Sequence, residues 1–291
     1  MPSLRRVDGP DAPAGDLARL AEFFQRHERV LVVSGAGCST RSGIPAYRDA
    51  SGQWLRRDPV LFQDFISRPE MRRRYWARSF FGWQVMTTAR PNDAHRALAR
   101  LEAMQRLSLL VTQNVDGLHA RAGHRDLVEL HGSLAEVVCL DCGHRLARTR
   151  LQASLSEANP DWHPKVLGYN PDGDAELDAG AYPGFCVIDC PVCGGMLKPD
   201  VVFFGESVPA GRVETVTAAL DASDAVLVVG SSLVVWSGYR LAREAAARGL
   251  GLAAINRGRT RADALLDFKV DGDCDRVLGA LVEAIDTTLP D

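Results

Sequence analysis

Hydrophobic residues follow two patterns along the chain, short uninterrupted runs and longer stretches in which they recur at helical spacing. The short runs predict buried strands, at 29–33, 107–111, 126–130, 224–230, 251–256 and 267–270. The helical spacing predicts helices, at 16–27, 92–107, 211–221, 237–248 and 275–286. Asp16 is the expected N-cap of the first helix, and Asn92 or Asp93 that of the second. The alternation predicts an α/β fold, a Rossmann-like parallel sheet with helices on both faces.

Small and polar residues follow the predicted strands, at the edge where parallel sheets bind ligands. They are GAGCST (35–40), TQNVDGLH (112–119), HGS (131–133), GSS (230–232) and NRG (256–258). We therefore expect one continuous ligand groove. The GAG glycines allow close approach to a phosphate, but a lone G-x-G turn is a weak signal. In a hydride-transfer dehydrogenase, a second strand ending in an acidic residue for the ribose follows this turn, and the present sequence shows no such strand.

Two segments interrupt the alternation of strands and helices. Residues 50–90 are rich in Trp, Phe and Arg and predict a helical insertion. Residues 139–198 are poor in helical pattern and predict a small second domain. The remaining parts are a disordered lead-in (1–15) and the Rossmann-like domain (16–49, 91–138 and 199–291).

Charge and cysteine content narrow the classes of protein. The net charge of −3 gives no sign of a basic surface that would bind nucleic acid or an acidic membrane. No apolar run reaches the roughly 18 residues of a membrane span, and the N-terminus lacks a signal core. Seven cysteines, four of them in two C-x-x-C pairs, suit a reducing cytoplasm. We expect a cytoplasmic monomer that binds neither nucleic acid nor membrane.

The paired cysteines predict a metal site, since four thiolates in two knuckles match a closed tetrahedral Zn²⁺ site with no position for water. A glycine after each pair allows a tight turn. The predicted ligands are Cys139, Cys142, Cys190 and Cys193. Cys186 and His144 are alternative ligands without the paired spacing, and unmetallated buried thiols are the other interpretation. Cys38 and Cys274 lie apart, and Cys38 is interpreted as a small filler rather than a nucleophile.

The order of the motifs resembles that of the sirtuins, the NAD-consuming protein-lysine deacylases. The resemblance covers roughly residues 20–286 and rests on GAGCSTRSGIPAYR, TQNVDGLH, the HG pair, the two knuckles, KPDVVFFGE (198–206) and GSSLVV (230–235). Other segments look most like the class II branch, which includes the mitochondrial lipoamidase-type sirtuin; they are RRRYWARSFFGW (72–83), NPDGD (170–174) and GSSLVVWSGYR.

The resemblance implies NAD as cofactor, with the loop after GAG folded over the nicotinamide half and therefore polar rather than helical. The implied contacts in this loop are Gly35, Ala36, Gly37, Ser39, Thr40, Ile44, Pro45, Tyr47 and Arg48. The other implied contacts are Gln113, Asn114, Val115, Asp116, Gly230, Ser231, Ser232, Asn256, Arg257, Gly258 and Cys274. The chain departs from the usual family pattern at Cys38, Ala46 and Tyr47.

The resemblance also implies catalytic roles. Asn114 and Asp116 would order a water and contact nicotinamide and ribose; an Asx-turn at a strand end is the structural alternative. His131 would act as general base on a ribose hydroxyl, which its unperturbed pKa near 6.5 suits. The implied reaction releases nicotinamide and O-acyl-ADP-ribose. Protein ADP-ribosylation at the same NAD site is the alternative, and a non-enzymatic zinc module on nucleic acid would need a basic face.

Acylated-lysine proteins are the implied substrates, added as a strand in a cleft between 201–206 and 232–235. The implied contacts are Val202, Phe204 and Gly205. Tyr75 and Arg78 share a helix face at i and i+3 and resemble the acyl-pocket pair of desuccinylating sirtuins, which would bind a terminal carboxylate. In the alternatives, Arg78 pairs with a protein carboxylate while Tyr75 packs, or the aromatic residues nearby hold a long apolar acyl chain such as lipoyl.

Overall fold

The computed structural model describes residues 14–45, 60–170, 172–178 and 180–286. Most of the predicted lead-in, Tyr47 and Arg48, and the first ten residues of the predicted insertion lie outside the described residues. No helix in the described part is long and apolar enough to cross a membrane.

Six parallel strands form the main sheet, in the order β11-β10-β9-β1-β2-β3. The strands are β1 Val30–Ser34, β2 Leu107–Thr112, β3 Leu127–Glu129, β9 Ala225–Val229, β10 Gly251–Ile255 and β11 Phe268–Val270. Alternate residues of β1 belong to different cores: Val30 and Val32 to one, Leu31 and Val33 to the other. The sheet is therefore buried on both faces, as the apolar runs predict.

Helices cover both faces of this sheet. One face carries α1 Ala14–Arg26, α4 Asp93–Ala103 and α9 Cys274–Asp286, and the other carries α7 Ala210–Asp221 and α8 Trp236–Ala247. A short helix, α5 Leu118–Arg121, follows β2. Asn92 caps α4 in a reciprocal box with His95, which settles the choice between the two predicted caps. The prediction for α1 is wrong: the helix begins at Ala14, so Asp16 lies in its first turn, where a carboxylate still favours the helix dipole.

The insertion and the cysteine-rich segment pack together as one lobe with a shared core. The insertion contributes α2 Phe62–Ser67 and α3 Pro69–Thr88. The cysteine-rich part contributes β4 Gly132–Cys139, β5 Arg145–Ala147, α6 Arg148–Ala158, β6 Val166–Tyr169, β7 Ala175–Leu177 and β8 Leu197–Val201. β4 pairs antiparallel with β5 and β8. The predicted domain boundaries stay predictions, although this sheet extends beyond both ends of 139–198.

The 11-residue helix α6 is a difference from the expectation of little helix in this segment. Its buried face consists of Arg148, Leu151 and Leu155. A stripe of only two apolar residues, with an arginine in place of a third, gives too weak a period to recognise in the sequence.

Candidate active site

A cavity of about 930 Å³ follows the carboxyl ends of the central strands and opens against the lobe. Most of the predicted cofactor and substrate residues line it: Gly35, Ala36, Gly37, Thr40, Gln113, Asn114, Val115, His131, Gly230, Ser231, Ser232, Asn256, Arg257, Cys274, Tyr75, Val202, Phe204 and Gly205. Other described residues predicted for the site do not line it; they are Ser39, Ile44, Pro45, Asp116, Gly258 and Arg78. The continuous groove expected from the strand ends is therefore present.

The GAG loop lies directly on the loop that follows β9. The Gly37 amide donates to the Gly230 carbonyl at 2.8 Å, and the Gly35 amide donates to Val229 at 3.0 Å. Two short 3-10 turns, Ala36–Cys38 and Thr40–Ser42, follow in place of a helix. This backbone contact explains the glycines, because a Cβ on Gly37 would lie 2.8 Å from the Gly230 oxygen.

We expect Gly37→Ala to lower the stability by about 1–3 kcal/mol, because the added carbon forces the two loops apart. Denaturant unfolding measures the loss. Gly211→Ala is the matched control, since its Cβ would meet nothing within 4 Å and it lies in the first turn of α7. Equal stability of the two variants would contradict the close packing of the loops.

Ser39 joins two of the predicted catalytic residues behind the cavity wall. Its hydroxyl donates to the Asp116 carboxylate at 2.7 Å and accepts from the Asn114 amide at 3.0 Å. The same Asn114 amide donates to the Gly35 carbonyl at 3.1 Å. Burial raises the pKa of Asp116, while its hydrogen bonds to Leu118 and Ser39 oppose that shift. The first and second strand ends are thereby fixed to each other.

His131 is held in one tautomer. Its Nδ1 lies 3.0 Å from the Gln113 carbonyl oxygen, which can only accept, so Nδ1 carries the proton. Nε2 therefore presents a lone pair, which accepts from the Ser237 hydroxyl at 2.7 Å. Burial lowers the pKa of His131, and the bond to Gln113 opposes that shift. The ring is thus a neutral base at pH 7, with its basic nitrogen at the cavity. Sequence reasoning did not identify Ser237, the second residue of α8.

Arg78 is bound by the protein itself. Its side chain is 4% exposed; Nη2 lies 3.0 Å from Asp174 and 3.3 Å from Glu176, and Nε donates to the Ala175 carbonyl. Its anionic partners in this structure are protein carboxylates, the alternative that the sequence left open; binding of a substrate carboxylate by Arg78 stays a prediction.

Tyr75 lines the cavity within a cluster of aromatic rings. Its ring centroid lies 5.5 Å from that of Phe65 and 5.1 Å from that of Phe203, and burial raises the pKa of its hydroxyl. Asp172 and Asp174 line the same cavity. Burial raises the pKa of both carboxyls, and the Arg78 charge opposes that shift. This wall of the cavity is aromatic and acidic.

The four paired cysteines converge in the lobe, with all four sulfur atoms within 4.8 Å of one another. Sγ of Cys139 lies 3.5 Å from that of Cys193, and Sγ of Cys142 lies 3.8 Å from that of Cys190. A tetrahedral ion with Zn–S bonds of about 2.3 Å needs sulfurs about 3.8 Å apart. The geometry is therefore compatible with zinc, and Cys186 and His144 are not in the cluster.

The two knuckles have the same backbone turn. The amide of each following glycine, Gly143 and Gly194, donates to the carbonyl of the first cysteine of its pair. Both glycines have φ of 71°, in the left-handed region. The turn explains the glycine after each pair.

These features define an α/β nucleotide-binding protein whose cleft lies against a cysteine-rich lobe. The model of the Sir2 family matches residues 35–237, and the chain belongs to that family, the sirtuins.

Proteins of the same family cover nearly the whole chain. An NAD-dependent protein deacetylase of Xanthomonas axonopodis pv. citri (strain 306) is 53% identical over 269 residues, 92% of each chain. NAD-dependent protein deacetylase 1 of Streptomyces coelicolor is 50% identical over 271 residues, 92% of this chain and 90% of that protein. A solved chain described as "Structural Basis for the Mechanism and Regulation of Sir2 Enzymes" has a TM-score of 0.75 at 30% identity, over 95% of this chain and 100% of that one. Another, described as "Sir2-p53 peptide-NAD+", has a TM-score of 0.74 at 26% identity, over 94% and 99%.

Proposed function

We propose that this chain is an NAD-dependent protein-lysine deacetylase, which releases nicotinamide and O-acetyl-ADP-ribose. The observation that carries the proposal is the neutral His131 at the cavity, whose Nε2 has a lone pair that accepts from the Ser237 hydroxyl. The family membership and the names of the relatives support the choice of NAD and of acetylated protein.

The strand ends supply the binding groups for the two halves of NAD. Gly230, Ser231 and Ser232 line the cavity, and the two serine hydroxyls suit phosphate and ribose oxygens. Asn256 and Cys274 line the end of the cavity next to β10 and suit the adenosine side. Asn114, anchored to Ser39, is proposed to hold the nicotinamide end together with Asp116.

His131 is proposed to act after the acetyl oxygen has displaced nicotinamide from the sugar. Nε2 exchanges its hydrogen bond from Ser237 for one from a ribose hydroxyl and takes that proton as the hydroxyl attacks the acyl carbon. The Nδ1 bond to the Gln113 carbonyl keeps the ring in this orientation and stabilises the imidazolium that forms.

The test is incubation of the protein with NAD and an acetyl-lysine peptide, with nicotinamide quantified and both products weighed by mass spectrometry. We expect equal amounts of nicotinamide, O-acetyl-ADP-ribose and free lysine peptide. Nicotinamide release with an ADP-ribosylated protein product and no deacetylation would support the ADP-ribosyltransferase alternative instead. The class II assignment and the cytoplasmic location stay predictions from the sequence.

Acyl chains ending in a carboxylate are proposed to be poor substrates. Arg78 is already paired with protein carboxylates, and the carboxyl groups of Asp172 and Asp174 make the cavity wall acidic rather than cationic. We expect acetyl-lysine to react faster than succinyl-lysine at equal peptide concentration; the reverse order would contradict this account of the pocket.

Arg78→Met is expected to lower the stability by about 3–5 kcal/mol, because it leaves buried carboxylates without their cation. Its effect on the rates with acetyl and succinyl peptides is expected to be equal in proportion. Arg150→Met on the exposed side of α6 is the control. A selective loss of desuccinylation in a stable Arg78→Met protein would restore the original interpretation of this arginine.

A further inference from the structure

A second group of metal-binding side chains lies in the core of the Rossmann-like domain, apart from the four paired cysteines. Cys38, His95 and His119 each place one donor atom within 4.8 Å of the others. All three side chains are 1% exposed or less. Cys38 packs in the core beneath α4 and α9, whereas Cys139 and Cys190 of the four-cysteine cluster belong to the core of the lobe. The two clusters are therefore separate sites.

The hydrogen bonds around His119 leave one nitrogen bare. The Ser34 hydroxyl donates its only proton to the Thr112 hydroxyl at 2.9 Å. The Ser34 oxygen therefore accepts the hydrogen bond from His119 Nε2, which is also 2.9 Å away. Nε2 therefore carries the ring proton and Nδ1 a lone pair. Nδ1 is buried and has no hydrogen-bond partner among the described residues. Such a buried orphan calls for a partner, and an ion is one of the few that fit.

His95 is fixed in a similar way by the cap of α4. Its Nδ1 lies 2.8 Å from the Asn92 side-chain oxygen and also 3.3 Å from the Asn92 backbone amide, which donates to it in the capping box. In the tautomer that donates to the oxygen, Nε2 has a lone pair, and the Ser39 hydroxyl 3.4 Å away gives its proton to Asp116 instead. Burial lowers the pKa of His95 to about 4 and that of His119 well below its ordinary value. Both rings are neutral at pH 7, the form that binds metals.

We propose that Cys38, His95 and His119 form a three-ligand site for a thiophilic transition-metal ion, with Zn²⁺ as the ion that fits best. One thiolate and two imidazoles are a donor set that zinc takes in proteins, with a fourth position left open. Zn–S and Zn–N bonds place sulfur and nitrogen about 3.6 Å apart, so the ligand atoms have to close by up to about 1 Å. Binding releases the Cys38 thiol proton to solvent.

The second-sphere contacts resemble those of a built metal site. Metal-bound histidines donate their other ring proton to an oxygen, which fixes the ring. Here His119 donates to the Ser34 oxygen, and the cap of α4 holds the His95 ring through the Asn92 side-chain oxygen and backbone amide. Both rings are thus held in place before any ion binds.

Occupancy of this site would inhibit the proposed reaction. The ion draws His95 away from Ser39, and Ser39 is the group that ties Asn114 to Asp116. The inhibitory effect therefore rests on the proposed function, whereas the metal site itself does not. Metal content and inhibition are measured separately for that reason.

The first test is metal stoichiometry on the intact protein after dialysis against Zn²⁺. We expect two equivalents for the natural sequence and one for Cys38→Val, which removes the thiol at nearly constant volume. Cys274→Val, buried in the same core, and Cys186→Ser, an exposed thiol, are matched controls that keep two. Loading with cadmium and recording its NMR spectrum should give one signal from a four-sulfur site and one from a site with a single sulfur. Only the second signal should vanish in Cys38→Val.

The second test is inhibition by added Zn²⁺, expressed relative to the rate of each variant with its four-cysteine site occupied and no Zn²⁺ added. Loss of one ligand is expected to raise the inhibitory Zn²⁺ concentration about 10-fold or more.

Binding of only one equivalent of Zn²⁺ by the natural sequence, or a second cadmium signal that survives Cys38→Val, would overturn the site. If Cys38→Val does not fold, His119→Gln is used in its place. A second equivalent of Zn²⁺ that is retained in His119→Gln would also overturn the site. Binding of a second equivalent of Zn²⁺ without inhibition would support the metal site but contradict the proposed inhibitory effect through Ser39. Failure of the deacetylase assay alone would leave the metal result standing.

Discussion

Replacement of His131 by asparagine is expected to lower kcat for deacetylation by about 10²–10⁴-fold, the contribution of a positioned general base. Asparagine keeps a polar group of similar size near Gln113 and Ser237 but cannot accept and return a proton at neutral pH. NAD binding and the unfolding transition should change little, because His131 follows β3 and lines the cavity.

The pH dependence offers an independent check on the same residue. The neutral imidazole is the active form, and burial lowers the pKa of His131 from 6.5. Activity should therefore persist above that lowered pKa and fall as the pH drops through it. Ser237→Ala is the matched control, since it removes only the donor to Nε2 and should retain most of kcat. Near-normal turnover by His131→Asn would move the base role to another group.

Loss of one paired cysteine is the second change with a large expected effect. We expect Cys190→Ser to release the metal and unfold the lobe, since the binding energy of a structural zinc site, about 10–16 kcal/mol in small zinc peptides, is folding energy. Cys139 and Cys190 are also buried in the core that the insertion and the knuckles share. Phe65 and Trp76 would then lose part of their packing, and deacetylation with it.

Metal analysis, near-UV circular dichroism and limited proteolysis measure this loss. Cys186→Ser is the control, because Cys186 is exposed and lies outside the cluster. A metal-free Cys190→Ser protein with a folded lobe and full activity would contradict a structural role for the ion.

The parts of the structure that could be predicted are those that depend on residues close together in the sequence. β1 and β9 match their predicted runs to within one residue at each end, because a strand buried on both faces needs mostly apolar residues. The knuckles could be predicted because both ligands of each pair lie within one turn. For the glycines after β1, the predicted close approach to a phosphate stays a prediction; the packing of Gly37 against Gly230 is a second reason for glycine that the sequence did not indicate.

The parts that could not be predicted depend on partners distant in the sequence. Arg78 meets Asp174 and Glu176 only because β7 folds against α3, and nothing near Arg78 indicates that neighbour. The meeting of His95 and His119 is likewise a product of packing, since they lie on different helices whose rings approach to 4.6 Å.

The position of the lobe within the chain has a consequence for folding kinetics. β1 pairs with β9 across an intervening segment of about 190 residues, and closure entropy grows only with the logarithm of that length. A metal bridge between the knuckles would bypass the residues between Cys142 and Cys190, which lowers the closure cost by only about 0.3 kcal/mol. The ion thus has little influence on how fast the central strands meet, and the rate is set by the distance in sequence between them. The sheet should therefore refold at nearly the same rate with and without zinc, whereas the lobe should fold only when the ion binds.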